Sequence, residues 1–140
     1  MITKYNIKPK NEKNAKYQSL LSDETKDRLR DEILRIIVQE KKYKDREYNT
    51  HKLAADLNTN SRYISAVCAT RFHKNYSEFV NDYRVNKAMS LLTDKRYLKM
   101  SIEDIAEMAG FSTRQSFYSN FFQRTGMTPR HYRMEQAAKK

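Results

Sequence analysis

The chain has 140 residues, room for one domain or for two very small ones sharing a helix. Its 28 basic residues outnumber 17 acidic ones, and the resulting charge of +11 favours polyanions (DNA, RNA or an anionic membrane surface) without choosing among them. One cysteine excludes an internal disulfide, and no apolar run approaches the roughly 20 residues of a membrane span.

The N-terminus, MITKYNIKPKNEKNAK, lacks the apolar core of a secretory signal, so a cytoplasmic protein is expected. Only 2 Gly and 2 Pro occur, too little punctuation for a strand-rich fold; short-turned helices are the alternative. Residues 1–21 are polar, lysine-rich and aperiodic, and read as a flexible basic tail. Ser22 then opens a helix, with Asp23, Glu24 and Asp27 in its first turns, where the dipole favours negative charge. Leu29, Ile33, Ile36 and Ile37 form its apolar stripe, and Lys41, Lys42 and Lys44 are expected to close it.

Leu53, Ala54 and Leu57 mark a brief second helix, with Asn58 where a left-handed residue would end it. Asn60 caps a third helix that turns Ile64, Val67 and Cys68 inward and ends near Phe72. Asn75 and Glu78 form a capping box for a longer helix from about Tyr76 to Leu92. Its apolar face is Phe79, Val80, Tyr83, Ala88, Leu91 and Leu92. Ser101 and Asp104 start the next helix, with Ile102, Ile105, Ala106 and Met108 or Ala109 facing the core, and Gly110 turns the chain at positive φ. Ser112 with Gln115 reads as a capping box for a helix anchored by Phe117, Phe121 and Phe122. Thr128 caps the last helix, Pro129 takes its first position and Tyr132 packs back.

A weak internal repeat links the two halves. Leu53-Ala-Ala-Asp-Leu57 matches Ile105-Ala-Glu-Met-Ala109, Asn58 stands for Gly110, Ile64 for Phe117, and Asn75-Tyr76 for Thr128-Pro129, with one extra residue in the second turn. The expected fold is therefore all-α, two helix-turn-helix units joined by a long linker helix. The first unit is expected at 22–92 with its preceding and linker helices, the second at 93–134, and a short tail at 135–140. A helix-turn-helix places its second helix in the major groove.

The segment Ile105 to Arg133 carries A-x-x-x-G-F, the pair Phe121-Phe122, and Gly126-Met127-Thr128-Pro129 followed by Tyr132. This set resembles the DNA-binding domain of the AraC/XylS transcription regulators, and the similarity extends over roughly Lys42 to Arg133. The helix at 22–42 and the phrase EKKYKD resemble the segment preceding that domain in Bacteroidetes-type members. The chain departs from the family at Asn58 and His73, where glycine is common, and at Ala66, where a longer polar side chain often reaches DNA. The resemblance implies a homeodomain-like fold and sequence-specific binding to double-stranded DNA. It also implies transcription regulation, more often activation through RNA polymerase than repression. A monomer and a homodimer both stay open.

Exposed side chains in the first two turns of a recognition helix reach base edges. In the second unit these are Arg114, Gln115, Tyr118 and Ser119; Arg114 suits guanine and Gln115 adenine, although a capping role would compete for Gln115. In the first unit they are Arg62, Tyr63, Ser65 and Ala69, with Ala66 lining the close approach, and the family pattern favours Arg62 and Ser65. Phosphate contacts are expected from Asn60, Ser61, Arg71, Ser112, Thr113, Arg124, Thr128 and Arg130.

Cys68 reads as a small buried group. His51, His73 and His131 lack metal-ligand spacing, so no metal or cofactor is expected, and most tyrosines sit at core spacing. Glu103, Asp104 and Glu107 read as helix-start charges; no nucleophile elbow or phosphate loop suggests an enzyme. The competing reading is a non-specific nucleoid or RNA-binding protein that uses charge alone.

Overall fold

A computed structural model describes residues 21–139; all but the last residue of the expected 1–21 tail, and the final residue of the chain, lie outside the described residues. Among these residues there are seven α-helices and no strand. They are α1 (Asp23–Leu34), α2 (Thr50–Asp56), α3 (Ser61–Val67), α4 (Tyr76–Thr93), α5 (Ile102–Ala109), α6 (Arg114–Thr125) and α7 (Pro129–Ala138). α1 and α3 each run on into a wider π turn, at Arg35–Gln39 and Cys68–Phe72. In α3 the Thr70 hydroxyl donates to the Ala66 carbonyl at 2.8 Å, a back-bond that competes with the regular ladder.

Most helix starts follow the sequence. Ser22, Asn60, Ser101 and Thr128 each accept from the backbone N–H three residues on, satisfying a donor the helix itself leaves unpaired. Asn49 does the same for α2, and the Asn75 side chain accepts from Glu78 N at 2.8 Å. Two expectations need correction. The cap of α6 is Thr113, extended at φ −135° and accepting from Ser116 N; Ser112 lies in the turn before it. The first helix ends without basic residues in its last turn: Glu40 is its C-terminal cap, Lys41 is left-handed at φ 61°, and Lys42–Lys44 form a separate 3-10 turn.

The chain divides into two compact units. The first holds the described residues up to Lys42 together with Glu47–Val80; the second holds Tyr43–Arg46 and the described residues from Asn81 onward. In the first unit α1 packs along α3 and its π turn, and α2 packs against α3. Leu29, Ile33, Ile37, Leu53, Ile64, Val67 and Cys68 are almost fully buried there. At about 1.5–3 kcal/mol per large apolar side chain, the apolar spacing of α1 and its π turn contributes the share of this burial made by Leu29, Ile33 and Ile37. Phe72 stacks on Phe79 with ring centroids 4.2 Å apart, and Arg71 reaches back to α1, its Nε donating to Asp27 at 2.9 Å.

In the second unit Phe117 sits at the centre of an aromatic cluster, 5.1 Å from Phe111 and 5.7 Å from Phe121, and Tyr132 meets Phe121 edge-on at 5.5 Å. Val85, Ala88, Leu91, Leu92, Ile105 and Ala109 complete that core. Val85 was not on the expected face of α4, and Tyr83, which was, is half-buried. Phe122 was expected as an anchor but is 56% exposed, because Phe117 and Phe121, one turn apart, already fill the inward face of α6.

Arg133 holds the loop after α4. Its guanidinium donates to the carbonyls of Leu92 at 3.3 Å, Tyr97 at 3.2 Å and Met100 at 3.0 Å, and burial lowers its pKa. The segment Tyr43–Arg46 lies on the turn that follows α5. Arg84 Nε donates to the Tyr43 carbonyl at 2.6 Å, and a Cβ added at Gly110 would stand 2.4 Å from that same oxygen. Gly110 therefore serves a close backbone approach as well as its φ of +105°.

Candidate nucleic-acid interface

The two helix-turn-helix units repeat at an offset that steps by one residue across the turn. Leu53 and Asn58 correspond to Ile105 and Gly110 at an offset of 52; Leu53 and Ile105 are both fully buried, and Asn58 and Gly110 are both left-handed. Beyond the turn the offset is 53. It relates the caps Asn60 and Thr113, the buried Ile64 and Phe117, the buried Cys68 and Phe121, and the left-handed His73 and Gly126. The extra residue thus lies in the turn before α6, which moves the cap from Ser112 to Thr113. Gln115 is thereby relieved of the capping role that would have competed with a base contact.

The second helices of the two motifs, the expected recognition helices, are α3 and α6. In α6, Arg114, Gln115 and Ser119 are exposed on the first two turns and Tyr118 is half-buried. The guanidinium carbon of Arg114 lies 4.9 Å from the Tyr118 ring centroid, and Arg114 Nη1 stands 3.5 Å from Glu103 Oε1. In α3, Arg62 and Ser65 are exposed, while Ser61, Tyr63 and Ala69 are half-buried. Asn60, Ser112, Thr113, Thr128 and Arg130 are exposed at the helix starts.

Three of the residues expected to contact DNA have partners within the fold. Ala66 is only 4% exposed: α1 packs along α3, and the Ala66 methyl is part of the core where its counterpart Ser119 is exposed. Arg71 is committed to Asp27 and, at 3.2 Å, to Asp23, and this pairing raises its pKa. Arg124, its counterpart at offset 53, donates to Asp82 through Nε and to Asn120 Oδ1 at 2.8 Å, with its side chain 17% exposed. Both arginines therefore act as equivalent clamps, tying each recognition helix to the helix that precedes its motif. Their acid partners lie more than 40 residues away in the chain, beyond any local spacing rule.

One basic residue entered the site unexpectedly. Arg46, on the segment that packs with the second unit, shares a groove with Glu103, Glu107, Thr113, Arg114 and Tyr118. Its Nη2 stands 3.8 Å from Glu107 Oε1. Elsewhere, Cys68 is fully buried, and burial pushes its thiol up to about 12. His73 ends the α3 π turn, and His131 pairs with Glu135 on the exposed face of α7. Among the described residues, no group of His, Cys, Asp and Glu is arranged to hold a metal and no helix is long and apolar enough to cross a membrane.

Comparison with known proteins agrees with this geometry. The pattern of the helix-turn-helix domain family matches residues 53–135. The melibiose operon regulatory protein of Escherichia coli is 29% identical over 89 residues, which are 64% of this chain and 28% of that protein. The chain thus spans less than a third of that relative's length. The C-terminal domain of the two-component response regulator YesN from Fusobacterium nucleatum superposes with a TM-score of 0.56 at 28% identity, over 67% of this chain and 88% of that one. The C-terminal domain of AraT, a response regulator from Geobacillus stearothermophilus, gives 0.66 at 23% identity, over 76% and 84%, a likeness of fold. A match across more than half the chain, joined to the doubled motif, assigns the protein: it belongs to the AraC/XylS family of DNA-binding, helix-turn-helix transcription regulators, a family of regulators and not of enzymes.

Proposed function

We propose that the chain binds specific sequences of double-stranded DNA, with α3 and α6 entering successive major-groove segments about one helical turn apart. The observation that carries this reading is the duplicated motif, whose two recognition helices both begin with exposed polar and basic side chains while their apolar faces are buried. Arg114, Gln115, Tyr118 and Ser119 of α6 read bases, with Arg62, Tyr63 and Ser65 of α3. Asn60, Ser61, Ser112, Thr113, Thr128 and Arg130 contact phosphates from the helix starts. Along the sequence we read the functional units at 22–92 and 93–134; the compact packing units differ, since Tyr43–Arg46 and the residues from Asn81 pack with the second, and the last helix continues to Ala138, into the expected tail. The protein works in the cytoplasm as a monomer or homodimer and acts on transcription by contacting RNA polymerase; the operon-regulator name of the melibiose relative supports the transcriptional role.

Selection of bound sequences from a random duplex library at physiological salt tests this. An enriched motif with two half-elements about 10 bp apart is the expected result. Binding without enrichment would replace it with the charge-driven, non-specific reading.

A further inference from the structure

The groove beside α6 holds two arginine–carboxylate pairs, both on the proposed DNA-facing side of the second unit: Arg114 with Glu103 and Arg46 with Glu107. Glu103 and Glu107 are one helical turn apart on α5, so their carboxylates share a face of that helix. An acidic pair is an unfavourable lining for a surface that must approach phosphates. A role as helix-start charges accounts for Glu103 in the first turn of α5 but not for Glu107, which lies beyond it.

Arg114 makes two different contacts: its guanidinium carbon lies 4.9 Å from the Tyr118 ring centroid, and its Nη1 stands 3.5 Å from a Glu103 carboxylate oxygen. The contact with the ring leaves the charge available to DNA, whereas the ion pair with Glu103 competes with a phosphate or a base for the same nitrogen. Arg46 stands in the same position with respect to Glu107.

We infer that Glu103 and Glu107 are intramolecular competitors for DNA: they hold Arg114 and Arg46 in the unbound protein and release them when a duplex docks. This rests on the DNA-binding reading of that face. Tyr118 is then the positioning residue for Arg114, and the carboxylates set how much affinity the site forgoes. Binding becomes an exchange of carboxylate for phosphate or base, weaker than the same arginines would give alone. Both pairs are solvent-exposed, so the effect of each is modest and screened by salt.

The test is the affinity of the whole chain for a fluorescent mixed-sequence duplex over a range of salt, comparing wild type with E103Q, E107Q and E32Q. Glu32 of α1 pairs at 2.8 Å with Arg35, the first residue of the π turn that follows, so E32Q removes the same charge and the same kind of pair outside the groove. The expected result is about two- to fivefold tighter binding for E103Q and for E107Q at low salt, a gain that shrinks as salt rises and exceeds that of E32Q. Unchanged or weaker binding by both groove variants, or a gain no larger than that of E32Q, overturns the inference and leaves the DNA-binding reading intact. A wild-type chain that binds no duplex at any salt removes the reading itself, and the inference with it.

Discussion

Replacing Gly110 by alanine separates two costs that most turn glycines combine. The first is conformational: a side chain at positive φ costs about 1–2 kcal/mol. The second is steric. The new Cβ would meet the Tyr43 carbonyl oxygen at 2.4 Å and the Lys44 Cα at 2.9 Å, where ordinary contact begins at 3.4 Å. Both atoms are backbone, so relief requires moving the whole Tyr43–Arg46 segment and the hydrogen bond it accepts from Arg84. Overpacking of this kind costs about 1–3 kcal/mol. Together the terms give about 2–5 kcal/mol, a large part of what a small unit has. Gly126 is the internal control: its φ is +75°, but a Cβ there meets nothing within 4 Å, so Gly126→Ala carries the conformational term alone. Urea unfolding of both variants, with amide exchange to follow the second unit, gives the comparison. If Gly110→Ala loses no more stability than Gly126→Ala, the close-approach argument is wrong.

The paired phenylalanines should behave oppositely: Phe121→Ala is expected to cost about 3–5 kcal/mol, and Phe122→Ser less than about 0.5 kcal/mol, read as shifts in the unfolding midpoint. Arg114→Ala should cost about 1–3 kcal/mol on a selected duplex and relax one base position, and equal discrimination across a panel of point-mutated sites would contradict this. Arg124→Ala should instead lower the unfolding midpoint, because the Asp82 carboxylate loses the Arg124 guanidinium; an unchanged midpoint with uniformly weaker DNA binding would support a phosphate role. The Cys68 thiol should resist alkylating reagents in the folded protein and react promptly in denaturant; rapid native labelling would contradict its burial. Its folded pKa of about 12 lies above the ordinary 9.0, so the unfolded chain ionises first. The stability this thiol contributes is complete below about pH 9 and is lost as pH rises towards 12, and a Cys68→Ala variant should lack that component of the alkaline fall.

What could be read directly from the sequence was local. A cap is a side chain meeting an amide three residues on, so Ser22, Asn60, Ser101 and Thr128 declare themselves by spacing. A left-handed helix end needs glycine or a tolerant residue such as asparagine, so Gly110 and Asn58 were also legible. The exception among the caps, Ser112 against Thr113, arose because adjacent hydroxyls both fit the motif; the choice falls to the register that buries Phe117 and Phe121, and the repeat already encoded it through Asn60. The rest depended on distant partners. Nothing near Arg71 or Arg124 announces Asp27 or Asp82, and nothing near Ala66 announces that α1 covers α3. Arg46, far from α6 in the chain, joins that helix only through the packing of the fold. In the candidate site, therefore, the exposure of the first-turn residues was legible, whereas the burial of Ala66 and the acidic partners of Arg71 and Arg124 were not.

The segment Tyr43–Arg46 has a bearing on where this protein can be cut. The family pattern begins at residue 53, and a fragment designed on that boundary would retain every helix from α3 onward. It would nevertheless strip the turn after α5 of the backbone against which Gly110 is fitted, and Arg84 of the carbonyl it donates to. The second unit is therefore not encoded by a single stretch of chain. Its wall is assembled partly from residues translated before the first helix-turn-helix, and a minimal functional fragment must begin ahead of Tyr43.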